Sequence, residues 1–279
     1  MASNKKTAII ILLILPLVVS IVFSAIPIQV STPNFNATHQ VKFLTYNTHF
    51  GVGMDDRLDL ERIVQNILVV NPDIIGLQEV ENGRITSQGV GMAQWIARAL
   101  GMYYYYYPAV NEHAFGCALL SKYPIINVTA FQLPTTELER VLIHAKIQLN
   151  TSFSLDVFVT HLGLKNDNTT AQIQFILSKT NQILGPKVLM GDFNLHNDTP
   201  QIQNVTLFLT DTASAFNPSN PGDTFPSWPA PQIERIDYIF ATNYTKLVNS
   251  HVVTDMLPSV NVAWEFGSDH LPVTTTLQY

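Results

Sequence analysis

Apolar and polar positions change period several times along this chain, and the changes predict a mixed α/β domain. Residues 41–46 form a short apolar run that reads as a strand. Over residues 58–70 the period lengthens: Leu60, Ile63, Val64, Ile67 and Leu68 share one helical face, and Asn71-Pro72 stops the helix. Residues 73–77 predict a second strand, residues 92–100 a helix closed by Gly101, and residues 171–184 a third helix. Apolar runs between turn signals predict further strands at 115–120, 141–149, 154–160, 187–190, 236–241 and 271–277. Five successive tyrosines at 103–107 read as a strand with tyrosines on both faces, with a substrate-contacting aromatic rim as the alternative. Residues 211–232, rich in Pro, Ser and Asn, predict a long surface loop. No internal repeat is visible, and the whole pattern predicts two packed sheets flanked by helices.

The first thirty residues follow a different rule. Lys5 and Lys6 precede an uncharged run over residues 8–28, longer than the 7–15 residues or so that a secretory signal needs. Residues 1–30 therefore read as one hydrophobic helix, a signal anchor or a cleaved signal peptide. Residues 31–40 are a polar linker and residues 41–279 the domain. The lysines stay cytoplasmic under the positive-inside rule, so the domain is expected on the extracytoplasmic side, membrane-anchored or secreted if the signal is cleaved. Sequons at Asn36, Asn127, Asn150, Asn168, Asn197, Asn204 and Asn243 agree with export, although Asn197 lies close to a candidate active-site loop.

Composition narrows the picture further. A formal charge of −6 argues against a protein that grips nucleic acid through a broad basic face, without excluding a local basic patch. Cys117 is the single cysteine, so no intrachain disulfide forms; within an apolar run it reads as a small buried hydrophobe rather than a reactive thiol.

Chemistry concentrates where apolar strands end, because such positions hold a side chain rigidly at a sheet rim. Tyr46-Asn47, Gln78-Glu79, Thr160-His161, Gly191-Asp192-Phe193-Asn194 and Ser268-Asp269-His270 occupy such ends, and Arg235-Ile236-Asp237-Tyr238 opens another strand. Carboxylate and amide oxygens of this kind suit Mg²⁺, Mn²⁺ or Ca²⁺. Zinc would call for closely spaced His or Cys ligands, and neither a His-x-x-x-His nor a Cys pair exists.

Taken in order, these motifs resemble the full set of the endonuclease/exonuclease/phosphatase superfamily, the DNase I-like proteins. The resemblance runs from about residue 41 to the C-terminus. It implies a four-layer α/β/β/α sandwich and a monomeric, metal-dependent phosphodiesterase using Mg²⁺ (or Mn²⁺). The substrate is expected to be a nucleic acid or a phospholipid head group. Carried over residue by residue, Glu79, helped by Asn47 and Asp269, holds the metal. Asp192 and Asn194 position or activate the attacking water and hold the phosphate. Asp237 orients His270, and His270 and His161 transfer protons and contact phosphate. Arg140 matches a position where many members place a phosphate-contacting arginine.

Two departures bear on substrate. His49 stands where abasic-site endonucleases carry a carboxylate, and the Asn-Tyr-Arg that follows Gly-Asp in inositol 5-phosphatases is absent. Two segments, around residues 53–63 and 115–124, resemble a generic exported branch. Residues 94–103 also resemble the luminal domain of proteins that remodel glycosylphosphatidylinositol lipids. The alternative from another class is a catalytically inactive domain of the same fold that binds phosphorylated lipid. Against it, every catalytic motif residue is present.

Overall fold

A computed structural model describes residues 39–110, 114–228, 231–254 and 266–279. The predicted N-terminal helix, most of the linker and Asn36 lie outside these residues. Among the described residues, no helix is long and apolar enough to cross a membrane.

Strand β1 (Gln40–Asn47) leads through a short 3₁₀ turn (His49–Gly51) and helix α1 (Leu60–Val70) to β2 (Ile74–Glu81). Helix α2 (Met92–Leu100) precedes the hairpin strands β3 (Tyr103–Pro108) and β4 (Phe115–Ser121). The second half runs β5 (Ile125–Gln132), β6 (Val141–Gln148), β7 (Ser154–His161), α3 (Asn166–Thr180), β8 (Lys187–Asp192) and α4 (Pro200–Thr206). It closes with β9 (Thr210–Asp211), α5 (Thr212–Phe216), β10 (Asp237–Thr242), β11 (Lys246–Val252) and β12 (Val273–Gln278).

Two six-stranded sheets result, ordered β11-β12-β1-β2-β4-β3 and β5-β6-β7-β8-β10-β9. Each contains one parallel pair made by a helical crossover, β1–α1–β2 in the first and β7–α3–β8 in the second. Val41, Phe43, Ile74, Val157, Val159, Val188, Met190 and Ile239 pack between the sheets, so both strands of each central pair are buried on both faces. Helices α1 and α2 cover the first sheet through Ile63, Ile67 and Ile96. Helices α3 and α4 cover the second through Ile173, Ile176 and Val205. This is the four-layer α/β/β/α sandwich expected from the motifs.

The caps explain the helix limits. Asp59 accepts a hydrogen bond from the Arg62 amide to start α1, Asn71 ends it in the left-handed conformation, and Gly101 does the same for α2. Leu68 does not belong to the buried face of α1; it is 45% exposed, one position past the stripe. The third helix begins five residues earlier than its apolar period, at Asn166, because its first turn is polar.

The described part of the stretch 211–232 is more ordered than a surface loop. It begins inside β9 and α5, and Thr224 and Ser227 are fully buried. Arg235 clamps it by pairing with Asp211 through two bonds of 2.6 and 2.8 Å while lying over the Tyr238 ring. The tyrosine run is an edge strand: Tyr104 and Tyr106 pack toward the helices, Tyr105 and Tyr107 toward the other sheet. Cys117 is buried between the sheets, and burial pushes its thiol up to about 12, so it stays protonated. Asn168 is also buried and bonded to Glu137, which removes that sequon from solvent.

Candidate active site

The residues singled out at strand ends meet at one rim, where the C-terminal ends of both parallel pairs converge. On the second sheet, His161 and Asp192 are register partners on β7 and β8, and Asp192 and Asp237 are partners on β8 and β10. Three site residues therefore stand side by side across three adjacent strands. Strands β7 and β8 end one and two residues later than the apolar runs indicate, so His161 and Asp192 are themselves strand residues held by the ladder. Gly191 makes this possible: a Cβ there would sit 2.1 Å from the Thr160 carbonyl oxygen.

The first sheet contributes Asn47, Glu79 and the segment before β12. Asn47 ends β1 opposite Gln78. Glu79 falls where the β2–β4 register slips, with a φ of 53°, a left-handed conformation uncommon outside glycine. This bulge turns the chain at the rim, and the Thr48 hydroxyl holds it by donating to the Gln78 and Glu79 carbonyls. Ser268 ties the remaining piece in place. Its hydroxyl donates to the Asn47 carbonyl at 2.6 Å and accepts from the His270 amide at 3.1 Å.

Within this frame the side chains form two connected groups. Asp237 Oδ2 lies 2.8 Å from His270 Nδ1, which fixes the ring with Nδ1–H donating to the carboxylate. His270 Nε2 then faces Asp192 Oδ2 at 3.8 Å and Asn47 Nδ2 at 3.4 Å. Asn47 Nδ2 donates to Asp192 Oδ2 at 2.9 Å, joining the two sheets at the site. In the second group, Arg140 Nη1 lies 3.0 Å from His161 Nδ1, and Asn194 Nδ2 lies 3.1 Å from His161 Nε2. Asp192 Oδ2 reaches the same Nε2 at 3.4 Å, so Asp192 links the groups.

The electrostatics separate the two histidines. Burial works against protonating His270, but the charge and hydrogen bond of Asp237, with Asp192 and Asp269, outweigh it and raise its pKa to about 10. His161 goes the other way: burial and the Arg140 guanidinium hold its pKa well below the ordinary value, so the ring is neutral. Burial and the neighbouring Asp237 charge raise Asp192, toward neutrality. Two imidazoles at one rim thus sit in opposite protonation states, an arrangement that separates a proton donor from an uncharged hydrogen-bonding ring.

The structure offers two places for a cation. Asp192, Asp237 and His270 bring ligand atoms within 4.8 Å of one another, but His270 Nδ1 is already engaged by Asp237. The set expected from the sequence is Asn47, Glu79 and Asp269, in which Glu79 accepts from the Asn47 amide and feels the Asp269 charge. Burial and then the charge of Asp269 raise the Glu79 carboxyl, with only histidines and the Asn47 amide opposing them. Asn47 Oδ1 accepts one bond, from the His49 amide at 3.0 Å, and keeps a second lone pair. Hard oxygen donors in carboxylate excess fit Mg²⁺ or Mn²⁺.

Sequence reasoning missed the supports of this site. Ser227 donates through its amide to the Asp269 carbonyl and through its hydroxyl to the Ser268 carbonyl, both at 2.6 Å. Thr224 Oγ1 accepts from the Ile236 and Asp237 amides at 3.3 Å, and Phe225 lies against the His270 ring with centroids 4.9 Å apart. His49 bonds Val52 O through Nδ1 and lies 3.9 Å from Asp269.

A four-layer sandwich with paired carboxylate–imidazole chemistry at the rim defines the phosphoesterase class. The chain belongs to the Endonuclease/Exonuclease/phosphatase family, whose model matches residues 44–270. It is 32% identical over 130 residues to Protein cwh43 of the fission yeast Schizosaccharomyces pombe, a match covering 46% of this chain but 13% of that protein. The fold matches an endonuclease/exonuclease/phosphatase from Beutenbergia cavernae with a TM-score of 0.69 at 23% identity, over 86% of this chain and 71% of that one. It also matches a mannosyl-6-phosphatase of Bacteroides thetaiotaomicron with a TM-score of 0.71 at 20% identity, over 86% of this chain and 100% of that one.

Proposed function

We propose that this protein is a divalent-metal-dependent phosphodiesterase acting on a nucleic acid or a phospholipid head group. The observation that carries the reading is the Asp237–His270 pair facing Asp192 Oδ2 at 3.8 Å, with His161 of the Arg140–His161–Asn194 group 3.4 Å from the same oxygen. A phosphodiester resists attack because its own charge repels the nucleophile, so the site must supply positive charge and place the water. Arg140, neutral His161 and Asn194 would turn N–H donors to the phosphoryl oxygens as substrate enters, exchanging the contacts that Arg140 and Asn194 now make to the His161 ring. Asp192, whose carboxyl is shifted up by burial, accepts the proton of the attacking water. Asp237 holds His270 protonated and aimed, so that Nε2–H can be given to the leaving oxygen.

Asn47, Glu79 and Asp269 would hold the ion. When bound, Mg²⁺ or Mn²⁺ would neutralise charge growing on the phosphate and lower the pKa of a bound water. The reading includes export and membrane attachment through residues 1–30, supported by Lys5-Lys6 and the uncharged run that follows.

The test is a turnover panel on the purified chain with Mg²⁺ or Mn²⁺. It contains bis-p-nitrophenyl phosphate, plasmid DNA, sphingomyelin and phosphatidylinositol lipids, with p-nitrophenyl phosphate as the monoester comparison. Metal-dependent diester turnover, abolished in Glu79→Ala and His270→Ala, is the expected result. Folded, metal-binding protein that turns over no diester would sink the proposal.

A further inference from the structure

Beside the site lies a cleft of about 630 Å³, within the size range of small-molecule pockets. Its lining includes Phe50, Val110, Phe115 and Leu138, together with Glu81 and Arg84. Three of its walls are chain neighbours of site residues: Phe50 follows Asn47 by three positions, Glu81 follows Glu79 by two, and Leu138 precedes Arg140 by two. Consecutive Cα atoms are about 3.8 Å apart, so residues two positions apart lie within about 7–8 Å whatever the backbone conformation, and a group on the scissile phosphate reaches the cleft without a long linker.

His49 and Phe50 both adopt positive φ, 42° and 44°, and neither is a glycine or an asparagine. Such conformations are strained for L residues and cluster at ligand-contacting segments. Here they turn the chain immediately after Asn47 and set Phe50 into the cleft wall, its ring against that of His49 with centroids 4.3 Å apart.

The charges of the cleft disfavour a polyanion. Arg84 pairs with the buried Glu81 carboxylate at 3.1 Å, and the Thr86 hydroxyl donates to the same carboxylate. Glu139 adds another acid to the lining. Arg84, the cation of this lining, is already committed to Glu81, so the next phosphate of a polynucleotide would find no uncommitted cation among these residues. Leu138, by contrast, leaves apolar surface exposed at the cleft wall.

We propose that this cleft receives an uncharged apolar group esterified to the scissile phosphate, so that the preferred substrate is a phosphodiester with an aliphatic or aromatic substituent rather than a polynucleotide. The proposal rests on the phosphodiesterase reading of the adjoining site, and the experiment separates the two. Methyl, butyl and octyl p-nitrophenyl phosphates share one leaving group and differ only in the apolar substituent. Thymidine 5′-p-nitrophenyl phosphate supplies the nucleotide comparison.

With Mg²⁺ or Mn²⁺ and substrates below micelle formation, kcat/KM should rise about tenfold or more from methyl to butyl and hold or rise at octyl. It should exceed that of the thymidine ester. Leu138→Glu should flatten the series, read as the octyl-to-methyl ratio of kcat/KM within that variant, and Phe50→Leu should keep most of the slope. No turnover of any ester overturns the phosphodiesterase reading itself. Turnover of the methyl ester with a flat series, a preference for the thymidine ester, or a slope that survives Leu138→Glu overturns the cleft assignment alone.

Discussion

Asn47 Nδ2 donates to Asp192 Oδ2 across 2.9 Å, and this one bond connects the end of a strand in the first sheet to the end of a strand in the second. The two residues are 145 positions apart in sequence, so their meeting depends on the packing of the whole sandwich. Because Asn47 is neutral, it can satisfy a buried carboxylate without compensating its charge, which leaves Asp192 raised.

Replacing Asn47 with Ala should therefore lower kcat by roughly 10²–10³, the loss typical of one preorganised donor. The fold should survive, since the inter-sheet core lies behind this position. Steady-state kinetics beside a thermal melt would check both halves. Activity within fivefold of the unaltered protein would show that the bond is dispensable.

Ser268 acts through its neighbours rather than on substrate. Its hydroxyl spans the Asn47 carbonyl and the His270 amide, so Ser268→Ala would leave both buried backbone groups without that partner. The expected loss is about 1–3 kcal/mol of stability. A tenfold or so fall in kcat with KM little changed should accompany it, because His270 would no longer be held to Asn47. A variant that melts lower but keeps full kcat would confine Ser268 to folding.

Gly191 sets how closely β7 and β8 approach beneath His161 and Asp192. An added Cβ would collide with the Thr160 carbonyl oxygen, which is backbone and cannot swing aside. Gly191→Ala should destabilise the protein by roughly 1–3 kcal/mol or more and disable the site. Urea unfolding would measure the first effect, and diester turnover the second.

Much of this site could be read from the chain because its residues end apolar strands, and strand ends are visible as breaks in hydrophobic runs. The supporting parts left no such mark. Thr224 and Ser227 hold the site by bonds to backbone groups, and any sequence rich in Pro, Ser and Asn resembles a solvated loop until its partners are known. Strand β5 escaped notice because it is an edge strand with no buried residue and a register shift after Ile125, and β11 because a bulge after Leu247 breaks its period. The bulge at Glu79 is likewise a tertiary event, since nothing in the strand predicted at 73–77 or in the Gln78-Glu79 that ends it marks a register slip.

Asp156 offers a test of pH dependence away from the site. Burial alone would raise its carboxyl, but hydrogen bonds from His144 at 2.7 Å and Lys146 at 3.0 Å outweigh that and hold it below the ordinary value of 3.8. A carboxyl depressed in the folded state contributes stability that is present above its unfolded pKa and is lost as pH falls through the folded one. Asp156→Asn should therefore cost about 1–3 kcal/mol at neutral pH, with the difference from the unaltered protein closing below about pH 4. Urea titrations at several pH values would show it; a difference that stayed constant into acid would contradict the assignment.

Metal removal tests the oxygen cluster without relying on turnover. Burial first, and then the charge of Asp269, raise the Glu79 carboxyl, and the described neighbours that oppose them are histidines and one amide. An ion bound only by the folded state stabilises it by mass action, by about 2.7 kcal/mol at a hundredfold excess over Kd. For a domain of this size that corresponds to a rise of roughly 5–10 °C in Tm. Mg²⁺ or Mn²⁺ added to chelator-treated protein should produce such a rise, and Glu79→Gln with Asp269→Asn should remove it. If the double variant kept the full shift while Asp237→Asn lost it, the ion would instead belong to Asp192, Asp237 and His270, and the division of labour between the two groups would be reversed.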